Sequence, residues 1–275
     1  MSDKWADVSL NKLYRFAKAL ILPVGAIVLW QWAGQDGAVA GGALPTPDRV
    51  WQAWLKWCFG NPTFGLNPYI GTWQESVLFS LGRVLHGFVI AIAIGVPLGM
   101  LIGWSKLVSS LVDPTIQWLR PVPITAWLPI SIAVFGIRDF GAVFLIMIGA
   151  FYPIVINTTQ GARDVEKNWI RAALMMGASQ GAILRRVVLP AALPSIFTGL
   201  RIGLGIAWTA VIVSEMVAVK SGLGYVLWDA YYVGRMDIVI ADMVSIGLMG
   251  FLSDQLIVAV ELWALRWRRL QSFHA

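Results

Sequence analysis

The sequence predicts an all-α membrane protein with six transmembrane helices. Of its 275 residues, 58% are hydrophobic and only 13% are charged, whereas about 25% of an ordinary soluble domain is charged. A chain this apolar cannot cover a globule with polar surface, so we expect it to be surrounded by lipid. Its fifteen tryptophans fit the interfacial belts of membrane proteins, where an apolar ring with one N–H donor is stable.

Six apolar stretches approach or exceed the length needed to cross a bilayer, which is about 20 residues. The predicted spans are Ala19–Ala33, Val77–Trp104, Val112–Ile137, Phe140–Asn157, Pro194–Ser214 and Ile238–Leu265. The third includes "RPVPITAWLP", whose three prolines predict a broken helix with carbonyl groups that line a cavity. The fifth contains Arg201 and the sixth contains Asp254, each within an apolar run.

Lysines and arginines are distributed unequally between the segments that join these spans. With the N-terminus inside, thirteen of the 21 lie in cytoplasmic segments, five in external segments and three within or beside spans. Short cytoplasmic loops of membrane proteins are enriched in these two residues. We therefore expect both termini, and the loop at residues 159–190, to face the cytoplasm.

The external segment predicted at residues 34–76 contains one helix-like stretch. After the prolines of "LPTPDRVWQAWLKW", apolar residues recur on roughly one helical face: Val50, Trp51, Trp54, Leu55 and Trp57. This pattern is typical of an amphipathic helix at a membrane surface. A helix that packs only on its own protein is an equal alternative.

Composition excludes or disfavours several other classes of function. The single cysteine, Cys58, excludes an internal disulfide and a multi-cysteine metal site. With only His86 and His274, a histidine-rich metal site is also disfavoured. The net charge of +6 is dispersed among apolar runs rather than gathered on one face, so we expect no nucleic-acid binding.

One pattern in the cytoplasmic loop suggests a catalytic site. Gly177-Ala-Ser179-Gln-Gly181 fits the G-x-S-x-G sequence of serine hydrolases, whose nucleophile lies on a sharp turn between a strand and a helix. The residues before it are helical in character, and neither histidine is placed to activate Ser179. A membrane-embedded serine hydrolase is therefore kept only as an alternative, beside a secondary carrier that works without ATP.

The same residues predict a helix–turn–helix bracket, defined here as residues 167–190, at the cytoplasmic surface. A helix through "DVEKNWIRAALMM" is expected to end at Gly177, because glycine readily adopts the left-handed conformation that closes helix C-termini. A second short helix, about Ala178–Val187, is expected to end before Pro190. The small residues at the turn let another protein approach closely, so we expect the bracket to be a docking element.

The spacing within the bracket resembles the "EAA…G…LP" loop of binding-protein-dependent ABC importer permeases. Ala172-Ala173 is followed after three residues by Gly177, and after nine more by Val187-x-Leu189-Pro190. The chain departs from the family pattern at Arg171, where glutamate is usual. Further stretches extend the resemblance to the nitrate, sulfonate and taurine branch, nearest its nitrate, cyanate and bicarbonate members; they are "LPTPDRVW", "AWLPISIAVFGI", "IFTGLRIGLGIAW" and "SEMVAVKSGLGYVLWDA".

The resemblance implies a MetI-like, type I ABC importer transmembrane domain over residues 1–275, in the bacterial inner membrane. The implied activity is ATP-driven import of a small oxyanion or a sulfonate such as taurine by alternating access. The chain lacks the G-x-x-x-x-G-K-[ST] phosphate loop, so ATP and Mg²⁺ are expected on a partner and no cofactor on this chain. The implied partners are a second permease copy, cytoplasmic ATPase subunits, a periplasmic binding protein and membrane lipid.

In this family the bracket forms the coupling helix that docks on the ATPase. The residues to which the resemblance assigns this role are Arg171, Ala172, Ala173, Gly177, Ala178, Gly181, Leu189 and Pro190. The departure at Arg171 affects the polar contacts expected at that interface.

Charged residues inside the spans are candidates for a translocation path, since such charges usually face a bundle interior or an aqueous cavity. Arg201 either supplies positive potential along an anion path or extends toward the cytoplasm, with Asp254 pairing with it or with backbone donors, and Glu215 either helps to form an outer gate or is structural. Glycines and alanines between residues 199 and 210 make one surface of the fifth span suitable for close helix packing. That span is the expected pore lining, with Arg201, Trp208, Thr209 and Glu215 as candidate contacts.

Overall fold

Helices are the only regular structure in the part of the chain that the computed structural model describes, which is residues 18, 21–35, 44–61 and 68–266. They are α1 (residues 21–35), α2 (Pro47–Phe59), α3 (Trp73–Trp104), α4 (Lys106–Leu119), a 3-10 turn (Ile124–Trp127), α5 (Leu128–Phe135), α6 (Asp139–Arg163), α7 (Lys167–Met175), α8 (Gln180–Ile183), a π-helical turn (Leu184–Val188), α9 (Leu189–Ala218), α10 (Leu223–Tyr232) and α11 (Met236–Ala264). The prediction of an all-α protein is confirmed.

These residues divide into two compact units. The smaller holds α1 and α2 together with residues 229–243. The larger holds residues 74–228 and 244–266, and therefore most of the apolar helices.

Four of the described helices are long and apolar enough to cross a membrane. They are α3, α6, α11 and the continuous helix Gln180–Ala218. A fifth candidate is α4 followed by Ile124–Phe135, a pair bent by 96°. The first predicted span, Ala19–Ala33, lies partly outside the described residues, so the total of six spans stays a prediction.

The bend in the third predicted span lies at residues 120–123. Pro121 and Pro123 bring no N–H group to a helical ladder, so α4 cannot continue through them. The chain turns by a hydrogen bond from Val122 N–H to Leu119 O, 3.1 Å long, and then enters the 3-10 turn. The break that the prolines predicted is confirmed.

Helices α3 and α6 pack closely along a stripe of glycines. From the N-terminal end, Gly87, Gly95, Gly99 and Gly103 of α3 face Ile146, Ile154, Thr158 and Ala162 of α6 in that order. Because the residue numbers rise together, the two helices run parallel. Thr159 Oγ1 also donates to the Gly99 carbonyl, at 3.2 Å. Such small-residue interfaces hold membrane helices together by close backbone approach.

Replacing Gly99 with alanine is expected to destabilise the protein by about 1–3 kcal/mol, because the added methyl group overpacks this interface. A Cβ at this position would lie 2.7 Å from Thr158 Cβ and 2.8 Å from the Val155 carbonyl oxygen. Gly82 lies on the same helix with open space at the position of a Cβ, so Gly82→Ala is the matched control and is expected to be neutral or stabilising. The measurement is the melting temperature in mild detergent, and equal values for the two variants would contradict the interface.

Helix α9 packs against α6 in the opposite direction. Gly199 lies against Asn157, and Gly203 lies against Ala150. Further along α9, the alanines at 207 and 210 are fully buried. The close-packing surface predicted for the fifth span is therefore present. Gly205 is the exception, since it is exposed and has open space around it.

Helix α2 buries one apolar stripe and exposes a second. The buried residues are Val50, Ala53, Trp57 and Cys58, and the exposed residues include Trp51, Leu55 and Phe59. The predicted helix is present, and the five apolar residues Val50, Trp51, Trp54, Leu55 and Trp57 fall within about half of its circumference, but only Val50 and Trp57 among them are buried. About 3.6 residues complete a helical turn, so neighbours such as Val50 and Trp51 point in different directions. The buried stripe packs on the protein itself, with Trp57 Nε1 donating to Thr72 Oγ1 at 3.3 Å, and a membrane contact of the exposed stripe stays a prediction.

The described residues contain no group of three or more histidine, cysteine or acidic side chains placed to hold a metal.

Cys58 is buried, and burial raises the pKa of its thiol to about 11. The thiol is therefore protonated at neutral pH, and a protonated thiol is a weak nucleophile.

Candidate functional site

The bracket predicted from the sequence contains a tight turn at Gly177. The backbone of Gly177 has φ of 78°, a conformation that residues with side chains rarely adopt. Its N–H donates to Leu174 O at 2.9 Å, and Ala178 N–H donates to Ala173 O at 3.0 Å. These are the paired hydrogen bonds of a Schellman C-cap. The predicted helix end at Gly177 is confirmed.

Ser179 begins the second helix of the bracket. Its Oγ accepts a hydrogen bond from Ala182 N–H at 3.4 Å, which is the role of an N-cap residue. His86 lies within α3, where its Nδ1 is 2.6 Å from the Gly82 carbonyl oxygen. His274 lies outside the described residues. The observed role of Ser179 is to cap a helix.

The second helix of the bracket continues into α9, so the prediction that it ends before Pro190 is wrong. The π-helical turn Leu184–Val188 joins α8 to α9, and Leu189 N–H donates to Leu184 O, five residues back. A proline inside an α-helix removes one hydrogen bond and crowds the carbonyl four residues before it. The wider turn directly before Pro190 accommodates both effects. Residues Gln180–Ala218 therefore form one continuous helix of 39 residues.

One side of the bracket is anchored in the helical bundle. Ala173, Ile183 and Val188 are buried in an apolar cluster that they share with α3, α6 and α9. Ala178 and Leu189 pack against this cluster and are partly buried. Burial of these side chains ties the position of the bracket to that of the spans.

The other side of the bracket is an exposed apolar surface, termed here the docking face and formed by Trp169, Leu174, Met175 and Met176. The two methionines are 87% and 81% exposed. Around them lie further exposed residues of the bracket, which are Arg171, Ala172, Gly177, Gly181, Arg185 and Arg186. An exposed apolar patch with a polar rim is typical of a surface that contacts another protein or a membrane, and flexible methionines suit contact with a protein.

Arg201 of α9 is joined to Asp254 of α11 by two hydrogen bonds. Its Nε donates to Oδ1 at 2.8 Å and its Nη2 donates to Oδ2 at 2.9 Å. This is the bidentate geometry of a strong guanidinium–carboxylate pair. Of the two interpretations drawn from the sequence, the pairing with Asp254 is observed, and it leaves 45% of the Arg201 side chain exposed.

The four candidate path residues fall into two groups. Arg201 and Thr209 lie on one exposed stripe of α9, with the exposed Gly205 between them. Trp208 is turned inward, where its Nε1 donates to Ser253 Oγ at 3.1 Å, and Glu215 is fully buried. A stripe of arginine, glycine and threonine is poorly suited to lipid, which favours contact with water or with another chain.

Glu215 belongs to a buried ion cluster formed by residues distant in the sequence. Its Oε1 accepts a hydrogen bond from Arg83 Nη1 at 2.7 Å, and its Oε2 accepts from Ser80 Oγ at 2.8 Å and Gly224 N–H at 2.9 Å. Arg83 also forms a 2.6 Å ion pair with Asp139. Because the cluster joins α3, α6, α9 and α10, no local sequence pattern predicts it.

Gly222 completes the cluster at the turn between α9 and α10. Its φ of 102° favours glycine, and a Cβ at this position would meet the Glu215 carboxylate. The next residue, Leu223, donates its N–H to Ser80 Oγ at 2.8 Å. The turn is therefore built against the buried charge pair.

Residues 95–264 match the family described as "Binding-protein-dependent transport system inner membrane component". That range is more than half of the chain and includes the bracket, α9 and all of α11. The chain belongs to this family. As a permease of the family it is a multi-pass transport component rather than an enzyme, and neither the serine hydrolase nor the secondary carrier alternative is supported.

Two relatives of the permease match nearly its whole length. The bicarbonate transport system permease protein CmpB of Synechococcus elongatus is 39% identical over 267 residues, which cover 94% of each chain. The nitrate import permease protein NrtB of Synechocystis is 36% identical over 255 residues, which cover 90% of each chain. The resemblance to ABC importer permeases is confirmed.

The permease also has the fold of a solved ABC transporter. The inward-facing conformation of the MetNI methionine ABC transporter superposes with a TM-score of 0.58 at 20% sequence identity, covering 71% of this chain and 99% of that one. This likeness confirms the MetI-like, type I importer fold.

Proposed function

We propose that this permease imports a small oxyanion of the bicarbonate or nitrate kind, as part of an ATP-driven complex in the bacterial inner membrane. The observation that carries the proposal is the match, over nine-tenths or more of both chains, to two permeases named for those anions. Sulfonates such as taurine are the second candidate class, from the sequence resemblance.

The exposed stripe of α9 supports a homodimer of permeases. Arg201, Gly205 and Thr209 form a polar surface on a helix whose opposite face is buried. A second copy, placed against this stripe, would remove it from lipid and enclose an aqueous path between the two subunits. The remaining apolar surfaces of the spans then contact membrane lipid, and both termini face the cytoplasm.

In this proposal the bracket couples the permease to a cytoplasmic ATPase that binds ATP and Mg²⁺. The docking face contacts the ATPase, together with the exposed residues Arg171, Ala172, Gly177 and Gly181. The inward residues Ala173, Ala178, Leu189 and Pro190 connect that contact to the spans. A periplasmic binding protein delivers the anion from the other side.

The proposal is tested by transport in proteoliposomes. The permease is purified in mild detergent with the ATPase subunit that accompanies it, reconstituted, and supplied with the binding protein encoded beside it. We expect uptake of nitrate or bicarbonate that requires both ATP and the binding protein, with taurine as the comparison substrate. Uptake of taurine alone would replace the oxyanion by the sulfonate class, and uptake that does not need ATP would contradict the proposal.

A further inference from the structure

A cavity of about 370 Å³ lies beside the break in the third span, between the end of α4, the 3-10 turn, α6 and α9. Isoleucines form much of its wall, among them Ile124, Ile148 and Ile202. The eleven lining residues include one cation, Arg120, and no carboxylate. An apolar pocket with a few polar groups is typical of a small-molecule site.

Two hydrogen-bond donors at this cavity have no acceptor among the residues that the structure describes. They are the guanidinium group of Arg120 and the hydroxyl group of Tyr152, both of which line the cavity. Arg83 and Arg201, two other arginines in the spans, are each held by carboxylates. Arg120 therefore brings a positive charge that no described carboxylate neutralises.

The broken helix explains how Arg120 reaches this position. Arg120 is the C-cap of α4, and the prolines that follow it turn the chain away from the helix axis. Gly149 of α6 then admits the 3-10 turn, because a Cβ at this position would meet the end of the Ile124 side chain. Irregular backbone at membrane depth is tolerated where it lines a cavity. The break and the glycine together create the space that Arg120 borders.

We propose that this cavity is an anion-binding site on the translocation path, in which Arg120 and Tyr152 donate hydrogen bonds to a small oxyanion such as nitrate or bicarbonate. The inference rests on the proposed import function and names the chain's own substrate contact. A guanidinium group presents a planar fork that matches two oxygens of a planar anion. The phenol adds one donor, and the absence of carboxylates from the lining disfavours cations.

The site shifts the expected substrate contact from the fifth span to the third. Both nitrogens of Arg201 that face Asp254 are occupied, so binding an anion there would require the pair to open. Arg120 needs no such rearrangement. A single cation also keeps binding weak enough for release, as conduction requires.

The test is ATP-driven uptake by the reconstituted complex, with nitrate and bicarbonate as separate probes. Arg120→Gln is expected to lower the uptake rate about tenfold or more, since it removes charge-assisted hydrogen bonds. Arg120→Lys keeps the charge without the fork and is expected to recover part of the rate. Tyr152→Phe removes one neutral hydrogen bond, and we expect a loss of roughly threefold.

Lys106→Gln is the matched control, because it removes an exposed cation from the other end of α4. Its uptake is expected to equal that of the wild type. Assembly of every variant is checked by the amount of ATPase that accompanies it through purification. If Arg120→Gln does not assemble, the comparison of Arg120→Lys and Tyr152→Phe with the wild type decides.

The outcomes separate the inference from the function on which it rests. Reduced uptake in the Arg120 and Tyr152 variants, with normal uptake in Lys106→Gln, supports the site. Wild-type uptake rates in the Arg120 and Tyr152 variants overturn the site and leave the proposed import function intact. A wild-type complex that takes up neither nitrate nor bicarbonate overturns the proposed function and the site with it.

Discussion

Replacing Arg83 with methionine is expected to destabilise the permease by about 3–5 kcal/mol, because the change leaves a buried carboxylate without its cation. Glu215 is fully buried and Arg83 is 6% exposed, so water cannot replace the lost partner. The 2.7 Å hydrogen bond between them also joins α3 to the end of α9, beside the Ser80–Glu215 hydrogen bond. The measurement is the melting temperature of the purified protein in mild detergent.

Two further variants show whether the charge pair is responsible. The double variant Arg83→Met with Glu215→Met removes both charges, and we expect it to be more stable than Arg83→Met alone. Arg138→Met removes an exposed arginine from the cleft that Arg83 also borders, and its melting temperature is expected to match that of the wild type. If Arg83→Met has the same melting temperature as the wild type, the cluster does not hold these helices together.

Replacing Met176 with glutamate is expected to weaken association with the ATPase about tenfold or more, because a carboxylate would be buried without a partner in an apolar contact. The side chain is 81% exposed, so the change leaves the packing of the permease itself intact. Association is measured as the fraction of ATPase retained by immobilised permease over a range of ATPase concentrations. Gel filtration of the variant in detergent verifies that it is folded.

Phe59→Glu is the matched control for this change. Phe59 is 76% exposed at the end of α2, in the segment predicted to lie outside the membrane. The substitution places the same charge on an exposed apolar residue at a distance from the bracket in the sequence. We expect normal ATPase retention for this variant. If Met176→Glu retains as much ATPase as the wild type, the docking face has no part in the proposed coupling.

The spans were predictable because each is a long apolar run. The polar ends of the helices were not predictable in this way. The predicted Val77–Trp104 is observed as α3, which begins four residues earlier at Trp73. The predicted Phe140–Asn157 is observed as α6, which continues to Arg163 through residues that are polar but still helical. Hydropathy reports where a helix meets lipid, and helical hydrogen bonding continues beyond that point.

The candidate site was predictable where one residue determines the local backbone. The helix end at Gly177 was predictable, because a C-terminal residue in the left-handed conformation requires little more than a glycine after the helix. The Arg83–Glu215 pair was not predictable, since its members are 132 positions apart in the sequence. Passage of the second bracket helix through Pro190 was equally hidden, because it depends on a π-helical turn rather than on composition.

The unbroken helix from Gln180 to Ala218 has a mechanical consequence. This one helix has the second half of the bracket at its N-terminal end and the Glu215 cluster near its C-terminal end. If the ATPase moves the bracket, as proposed, the movement reaches the spans through this helix rather than through a loop. The π-helical turn, followed by Pro190 and Pro194, is its most compliant point, because the regular ladder of hydrogen bonds is interrupted there. In the coupling proposal, the stiffness of the connection between the ATPase contact and the spans therefore depends on those few residues.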